Sequence, residues 1–121
     1  MQGNNRLIKS FGYALAGIGS AIRKEKNLQI HLAISFIVVV LSFLLSISKI
    51  EWLFVLLAIG GMLSLELMNT AIEKTVDLVT KEFHPLAKQA KDIAAGAVFV
   101  YALLSVLIGL IIFLPKIAIW F

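Results

Sequence analysis

Hydrophobic residues fill three long stretches of this 121-residue chain, and charged or turn-forming residues bound each stretch. The stretches cover about 28–48, 52–79 and 86–117, and each meets the requirement of about 20 helical residues for crossing a bilayer. Residues 49–51 are interpreted as a turn so short that the two helices it joins must be antiparallel. The pattern therefore predicts three transmembrane helices.

Residues 5–25, before the first stretch, have a different pattern. Apolar side chains recur there at helical spacing, while polar and basic side chains such as Arg6, Lys9 and Lys24 take the opposite face. This pattern predicts an amphipathic helix on the membrane surface. The helix could serve only as an anchor, or its polar face could cover a site below it. We read residues 1–121 as one all-α membrane domain.

Composition and charge restrict the function classes. Hydrophobic residues make up 60% of the chain, too many for a soluble domain, and the absence of cysteine excludes disulfides and thiolate metal sites. The net charge of +4 does not indicate nucleic-acid binding, because nine of the 11 lysines and arginines fall on one side of the predicted spans. By the positive-inside rule, the N-terminus and the 74–92 loop are cytoplasmic and the C-terminus is outside.

Four polar side chains share one stripe of the second membrane helix. Glu66, Asn69, Glu73 and Asp77 fall within roughly 80° of arc at about 100° per residue. With Trp52 as the outer boundary, Glu66 lies roughly 21 Å across a hydrocarbon core about 30 Å thick, and Glu73 at about 32 Å. A carboxylate in hydrocarbon is costly unless it is paired or holds a metal, so the stripe indicates a functional site that runs from membrane to water.

A structural role for these acids is the alternative. They could neutralise lysines of the cytoplasmic rim such as Lys74 or Lys81, which would account for Asp77 because it lies near water. This alternative explains Glu66 poorly, since no basic residue is expected in the spans at comparable depth. His31, at the start of the first span, is interpreted as an interfacial hydrogen-bonding residue rather than a ligand.

Further residues near the same rim are suited to phosphate and metal binding. Glu25 is a candidate to join Glu73 around Mg²⁺, which takes one or two carboxylates and leaves its other positions to water and phosphates. Lys91 and Asp92 precede the third span, where a helix N-terminus and a lysine attract phosphate oxygens, although such a pair can also be only an anchor and a cap. His84 could contact a nucleotide.

A cation site, a phosphate-binding lysine and a membrane-embedded carboxylate are what phosphoryl transfer to a lipid alcohol requires. The chain contains no Walker A loop, kinase glycine loop or kinase catalytic loop, so it would be a kinase of a different, small membrane type. The residues themselves resemble the bacterial diacylglycerol kinase and undecaprenol kinase family of small homotrimeric membrane kinases. The resemblance rests on Glu66-x-x-Asn69-x-Ala71-Ile72-Glu73-x-x-x-Asp77, Ala90-Lys91-Asp92, Gly12-Tyr13 and Glu25.

This resemblance implies an ATP-dependent lipid kinase of the bacterial inner or plasma membrane, a homotrimeric bundle whose active sites are shared between subunits. Glu66 matches the general base that takes the proton of the lipid hydroxyl. Glu25 and Glu73 match the Mg²⁺ ligands, and Asn69 and Lys91 match contacts to the transferring phosphate. The positions matched on the nucleotide side are Arg6, Tyr13, Glu25, Glu73, Asp77, His84, Lys91 and Asp92.

The resemblance also bears on the lipid. Segments 25–31 and 83–88 are similar to the undecaprenol kinases, whereas Ala14, Ala16 and Lys88 depart from the diacylglycerol kinase branch. The expected product is undecaprenyl phosphate, with phosphatidate from diacylglycerol as the alternative. Two other classes stay open on the residues alone. A small proton-coupled transporter would use an intramembrane glutamate. A non-enzymatic scaffold would use the small residues of 94–97, which let membrane helices approach closely. Neither class explains the acidic residues at the rim.

Overall fold

The computed structural model describes residues 2–121, with side chains from residue 3 onward. The helices in this range are α1 (Gln2–Lys24), α2 (Lys26–Leu44), α3 (Lys49–Val79) and α4 (Pro85–Ala118), and the range contains no strand. The last three helices are each long and apolar enough to cross a membrane. The predicted all-α fold, with three candidate spans and an N-terminal amphipathic helix, is confirmed.

Helix α3 is the centre of the packing. It packs most extensively against α4, less against α2, and least against α1. A cluster of buried apolar side chains joins the turn after α2, the start of α3 and the end of α4: Ile47, Val55, Ile112 and Phe113. Most other apolar side chains of the helices are exposed in the single chain. Such surfaces are suited to contact lipid or neighbouring subunits.

The turn after α2 ends the first span four residues earlier than the sequence pattern predicted. Ser46 has a φ of 51°, the left-handed region that ends many helices. Its N–H donates to the Phe43 carbonyl at 3.2 Å, and the Ile47 N–H donates to the Ser42 carbonyl at 3.3 Å. These two bonds form a Schellman motif, with serine at the position that usually holds glycine.

The prediction that residues 49–51 form the turn is wrong, because they are the first turn of α3. Ser48 is the N-cap, and its hydroxyl accepts from the Glu51 N–H at 3.2 Å. The Glu51 carboxylate accepts in return from the Ser48 N–H at 2.9 Å, which completes a capping box. Lys116 of α4 lies 3.1 Å from the same carboxylate oxygen and ties the start of α3 to the end of α4.

A sharp corner joins α1 to α2 and places the surface helix beside the spans. Glu25 is the single extended residue between the helices, with φ −101° and ψ 111°. The side-chain amide of Gln29 donates to the Ile22 carbonyl at 2.8 Å, so α2 supplies a partner for a terminal carbonyl of α1. The corner fixes Glu25 at the junction of α1, α2 and α3.

Helices α3 and α4 approach each other closely at Gly61. The hydroxyl of Tyr101 on α4 donates to the Leu57 carbonyl on α3 at 2.7 Å. A Cβ added at Gly61 would collide with the hydroxyl and ring of Tyr101, whereas a Cβ added at Gly60 would meet nothing within 4 Å. Glycine at position 61 therefore lets the tyrosine lie against the α3 backbone and fixes the register of these two spans.

Candidate active site

The carboxylate of Glu66 is buried within the single chain. Only 5% of the residue is exposed, and its Oε1 lies 3.1 Å from Nε2 of His31 on α2. The expectation that no basic side chain shares the depth of Glu66 is therefore wrong. A buried carboxylate without a partner is strongly destabilising, and the imidazole offsets part of that cost. Sequence reasoning missed this role of His31 because its partner lies on a different helix.

Asn69 and Glu73 form the middle of the stripe. The side-chain amide of Asn69 donates to Oε1 of Glu73 at 3.2 Å, so the two side chains are joined one helical turn apart. The carbonyl oxygen of Asn69 is buried and has no hydrogen-bond partner among residues 3–121. A buried acceptor without a partner is costly, and a bound cation or a donor group would satisfy it.

Glu25 lies at the same rim but contacts a lysine. Its carboxylate is 3.9 Å from the ammonium of Lys74, the residue that follows Glu73 on α3. Within the described part of the chain, no three histidine, aspartate or glutamate side chains come together as a metal site. The donors of Glu25, Glu73 and Asn69 are nonetheless all hard oxygen atoms, which is the chemistry that Mg²⁺ selects.

A polar cavity of about 360 Å³ lies at the C-terminal end of α3 and the N-terminal end of α4 and along the loop between them. It is lined by four of the residues matched on the nucleotide side: Asp77, His84, Lys91 and Asp92. The structure thus brings together, from two helices and a loop, residues that the sequence pattern placed near one rim and that the resemblance matched to the nucleotide. The cavity opens at the N-terminus of α4, where free backbone N–H groups favour anions.

Two ion pairs join four of the charged residues that line this cavity. Lys91 Nζ lies 2.6 Å from Asp77 Oδ1 across the two helices, and Lys88 Nζ lies 2.6 Å from Asp92 Oδ2 along α4. Asp77 is therefore paired with Lys91 and not with Lys74 or Lys81, the lysines considered from the sequence. All four side chains are well exposed, so solvent screening keeps both pairs weak.

His84 is the N-cap of α4. Its Nδ1 accepts from the backbone N–H of Leu86 at 3.1 Å. Because Nδ1 accepts, the neutral imidazole carries its hydrogen on Nε2, and this second nitrogen can donate to a ligand in the cavity. The capping contact therefore leaves the Nε2–H group of His84 as its donor to a ligand.

An apolar groove of about 300 Å³ runs along the spans between α2, α3 and α4. Its lining includes Val38, Val55, Met62 and Phe113. Among the described residues that line the groove, His31 is the one with a titratable side chain. His31 therefore belongs both to the groove and to the contact with Glu66. An apolar chain lying in the groove would have one end beside the buried carboxylate.

Two of the matched residues lie apart from this arrangement. Arg6 and Tyr13 are on α1, both are exposed, and between positions 3 and 121 neither side chain forms a hydrogen bond or an ion pair. The serine at position 10 bonds only the backbone carbonyl of Arg6, at 3.0 Å. A single chain does not bring these two side chains to the rim.

Known proteins are similar to this chain over most of its length. Residues 12–113 match the family described as prokaryotic diacylglycerol kinase. An undecaprenol kinase from Bacillus subtilis (strain 168) is 57% identical over 93% of this chain and 91% of its own length. A diacylglycerol kinase from Synechocystis is 40% identical over 90% of this chain and 63% of its own length, and one from Pseudomonas aeruginosa is 38% identical over 81% and 80%. The chain belongs to the prokaryotic diacylglycerol kinase family and is a multi-pass membrane lipid kinase.

Proposed function

We propose that this lipid kinase transfers the γ-phosphate of ATP to undecaprenol and forms undecaprenyl phosphate. The observation that supports this lipid is the 57% identity, over nearly the full length of both chains, with a protein named undecaprenol kinase. The relatives named diacylglycerol kinase reach 40% and 38%. Diacylglycerol is the second candidate substrate, because those relatives also match most of this chain.

The position of Glu66 supports its role as the general base. It is buried beside His31 at one end of the apolar groove, and Glu73 lies on the same helix face about 10 Å nearer the cytoplasm. A lipid alcohol would reach Glu66 sideways from the bilayer, while ATP stays in the polar cavity at the rim. The transferring phosphate would then lie between the two glutamates, near Asn69.

The proposed reaction is a direct transfer. Glu66 accepts the proton of the lipid hydroxyl as that oxygen bonds to the γ-phosphorus, and the bond from phosphorus to the β–γ bridging oxygen breaks to release ADP. Asn69 and Lys91 contact the phosphate oxygens and stabilise their charge. A positioned base of this kind typically contributes about 10²- to 10⁴-fold in rate. Positioning and charge supply the rest, so no covalent enzyme intermediate is required.

Glu25 and Glu73 would hold Mg²⁺, with the buried carbonyl oxygen of Asn69 close by on α3. Their oxygen donors fit this ion. When bound, Mg²⁺ neutralises charge on the phosphate oxygens. The residues of the rim cavity, Asp77, His84, Lys91 and Asp92, would bind the nucleotide beside it.

We also propose a homotrimer with shared active sites in the bacterial plasma membrane. Arg6 and Tyr13 lie apart from the rim of their own chain, which supports a site completed by the surface helix of a neighbouring subunit. The distribution of basic residues supports a cytoplasmic N-terminus and active site. Because the chain belongs to a kinase family, we propose a role in phosphoryl transfer for Glu66 instead of one in proton-coupled transport.

The test is transfer of radiolabelled γ-phosphate from MgATP by the purified protein in mixed micelles. Undecaprenol and diacylglycerol are presented separately. Labelled undecaprenyl phosphate with little labelled phosphatidate is the expected result. The opposite preference would replace undecaprenol by diacylglycerol as substrate. Label in neither lipid, from folded and oligomeric protein, would overturn both lipid assignments.

A further inference from the structure

His31 connects the buried carboxylate of Glu66 to the apolar groove. Glu66 is buried and is not part of the groove lining, whereas His31 lines the groove and keeps 26% of its side chain exposed. The side chain of Glu66 itself is only 7% exposed. A hydroxyl group that arrives along the groove therefore meets the imidazole beside the carboxylate.

The neighbourhood offers Glu66 few other partners. In residues 3–121, His31 supplies its one ion pair. Of the two polar residues one turn further along α3, Asn69 directs its amide to Glu73, and Thr70 is buried but its hydroxyl forms no hydrogen bond with Glu66. Glu66 has three rotatable side-chain bonds, so a buried carboxylate needs a contact to keep a single orientation. The imidazole contacts one carboxylate oxygen, Oε1, and among residues 3–121 the other oxygen takes part in no ion pair or hydrogen bond.

We infer that His31 is a positioning residue for Glu66. The imidazole holds the carboxylate beside the end of the apolar groove that His31 lines, where the carboxylate meets the hydroxyl of the lipid alcohol. This inference rests on the proposed function of Glu66 as the base. His31 acts through Glu66 and makes no contact with the nucleotide, since the polar cavity at the rim does not include it. Its loss therefore lowers turnover without changing the affinity for MgATP.

The test compares His31→Leu with His31→Gln in the full-length protein in mixed micelles. Leucine keeps the bulk of the side chain and removes both nitrogens, whereas the glutamine amide can place an N–H near the position of Nε2. We expect kcat for undecaprenol phosphorylation to fall about 10²-fold in His31→Leu, the loss typical of a misplaced reacting group, with an unchanged KM for MgATP. His31→Gln should recover kcat to within about tenfold of the unmodified protein.

A third comparison tests whether His31 acts through the carboxylate. In a Glu66→Gln background, adding His31→Leu should change the residual rate by less than about threefold, because residues that act as a unit are not additive. An equally large further loss would overturn the inference. So would wild-type kcat in His31→Leu, an equal loss in the leucine and glutamine variants, or a raised KM for MgATP.

Thermal unfolding and oligomer size of every variant show whether a loss of rate reflects a loss of fold, and His31→Gln is the informative variant if His31→Leu does not fold. Failure of the unmodified protein to phosphorylate either lipid would instead reject the proposed function. Normal activity of the unmodified protein together with an unaffected His31→Leu would reject only the role of His31.

Discussion

Lys91 Nζ lies 2.6 Å from Asp77 Oδ1, so two residues matched on the nucleotide side neutralise each other across α3 and α4. The two side chains are 39% and 49% exposed, and the pair is therefore screened by solvent. A bound phosphate can compete for the lysine at small cost. In the proposed function, the pair would keep Lys91 at the cavity until a nucleotide binds there.

Lys91→Met should lower kcat/KM for MgATP by about 10²- to 10³-fold, because it removes a cation from the charge that develops on the phosphate. Asp77→Asn should cost at most about tenfold, since the lysine remains. Steady-state kinetics with varied MgATP measure both. Lys49→Met, at the first residue of α3 and far from the polar cavity, is the matched control and should retain wild-type kinetics. An equal loss in Asp77→Asn would mean that the carboxylate itself contacts the ligand.

Glu66→Gln should reduce turnover by at least about 10²-fold and leave nucleotide affinity nearly unchanged, because the amide cannot accept the hydroxyl proton. Turnover is measured with undecaprenol, and affinity by equilibrium binding of a nucleotide analogue. Glu51→Gln makes the same chemical change in the first turn of α3, and glutamine still completes a capping box there. Wild-type turnover in Glu66→Gln would remove Glu66 from the mechanism.

Glu25→Gln and Glu73→Gln should each raise the Mg²⁺ concentration needed for half-maximal rate, because an amide is a weaker ligand than a carboxylate. We expect a shift of about tenfold or more, and complete loss of activity when Mg²⁺ is chelated. The measurement is a Mg²⁺ titration at fixed ATP. Glu66→Gln should keep the original midpoint, and a shift there equal to that of Glu73→Gln would contradict this division of roles.

Gly61→Ala should lower stability by about 1–3 kcal/mol, because its Cβ would collide with Tyr101 and separate α3 from α4. Gly60→Ala is the control, since a Cβ there meets nothing and alanine favours the helix. Thermal unfolding in one detergent compares the two variants. Equal stability of the two would show that Tyr101 moves aside at no cost.

Ser46→Gly should raise stability by up to about 1 kcal/mol, because glycine adopts the φ of 51° without the clash of a side chain. The turn and the polar cavity lie at opposite ends of α3, so kinase activity should stay unchanged. Ser48→Ala should have the opposite effect, a loss of about 0.5–2 kcal/mol, since it removes the N-cap hydroxyl. Unfolding curves that place both variants on the same side of the unmodified protein would contradict the assigned roles.

Much of the architecture followed from local pattern. The spans and the amphipathic helix were predictable because helix formation depends on residues three and four positions apart. The stripe from Glu66 to Asp77 was predictable for the same reason. The helix ends around residues 45–51 were not, since a serine in the left-handed region and a capping box over Ser48 carry no periodicity.

The contacts between helices were decided only by the tertiary structure. The sequence singled out Glu66 as a candidate but gave no sign that His31 contacts it. It also suggested Lys74 or Lys81 as the partner of Asp77, whereas the partner is Lys91. Which faces meet depends on the rotation and crossing of whole helices, and here Gly61 sets one such approach through Tyr101. Each helix fixes the angular order of its own side chains, whereas packing chooses the partners that those side chains find on another helix.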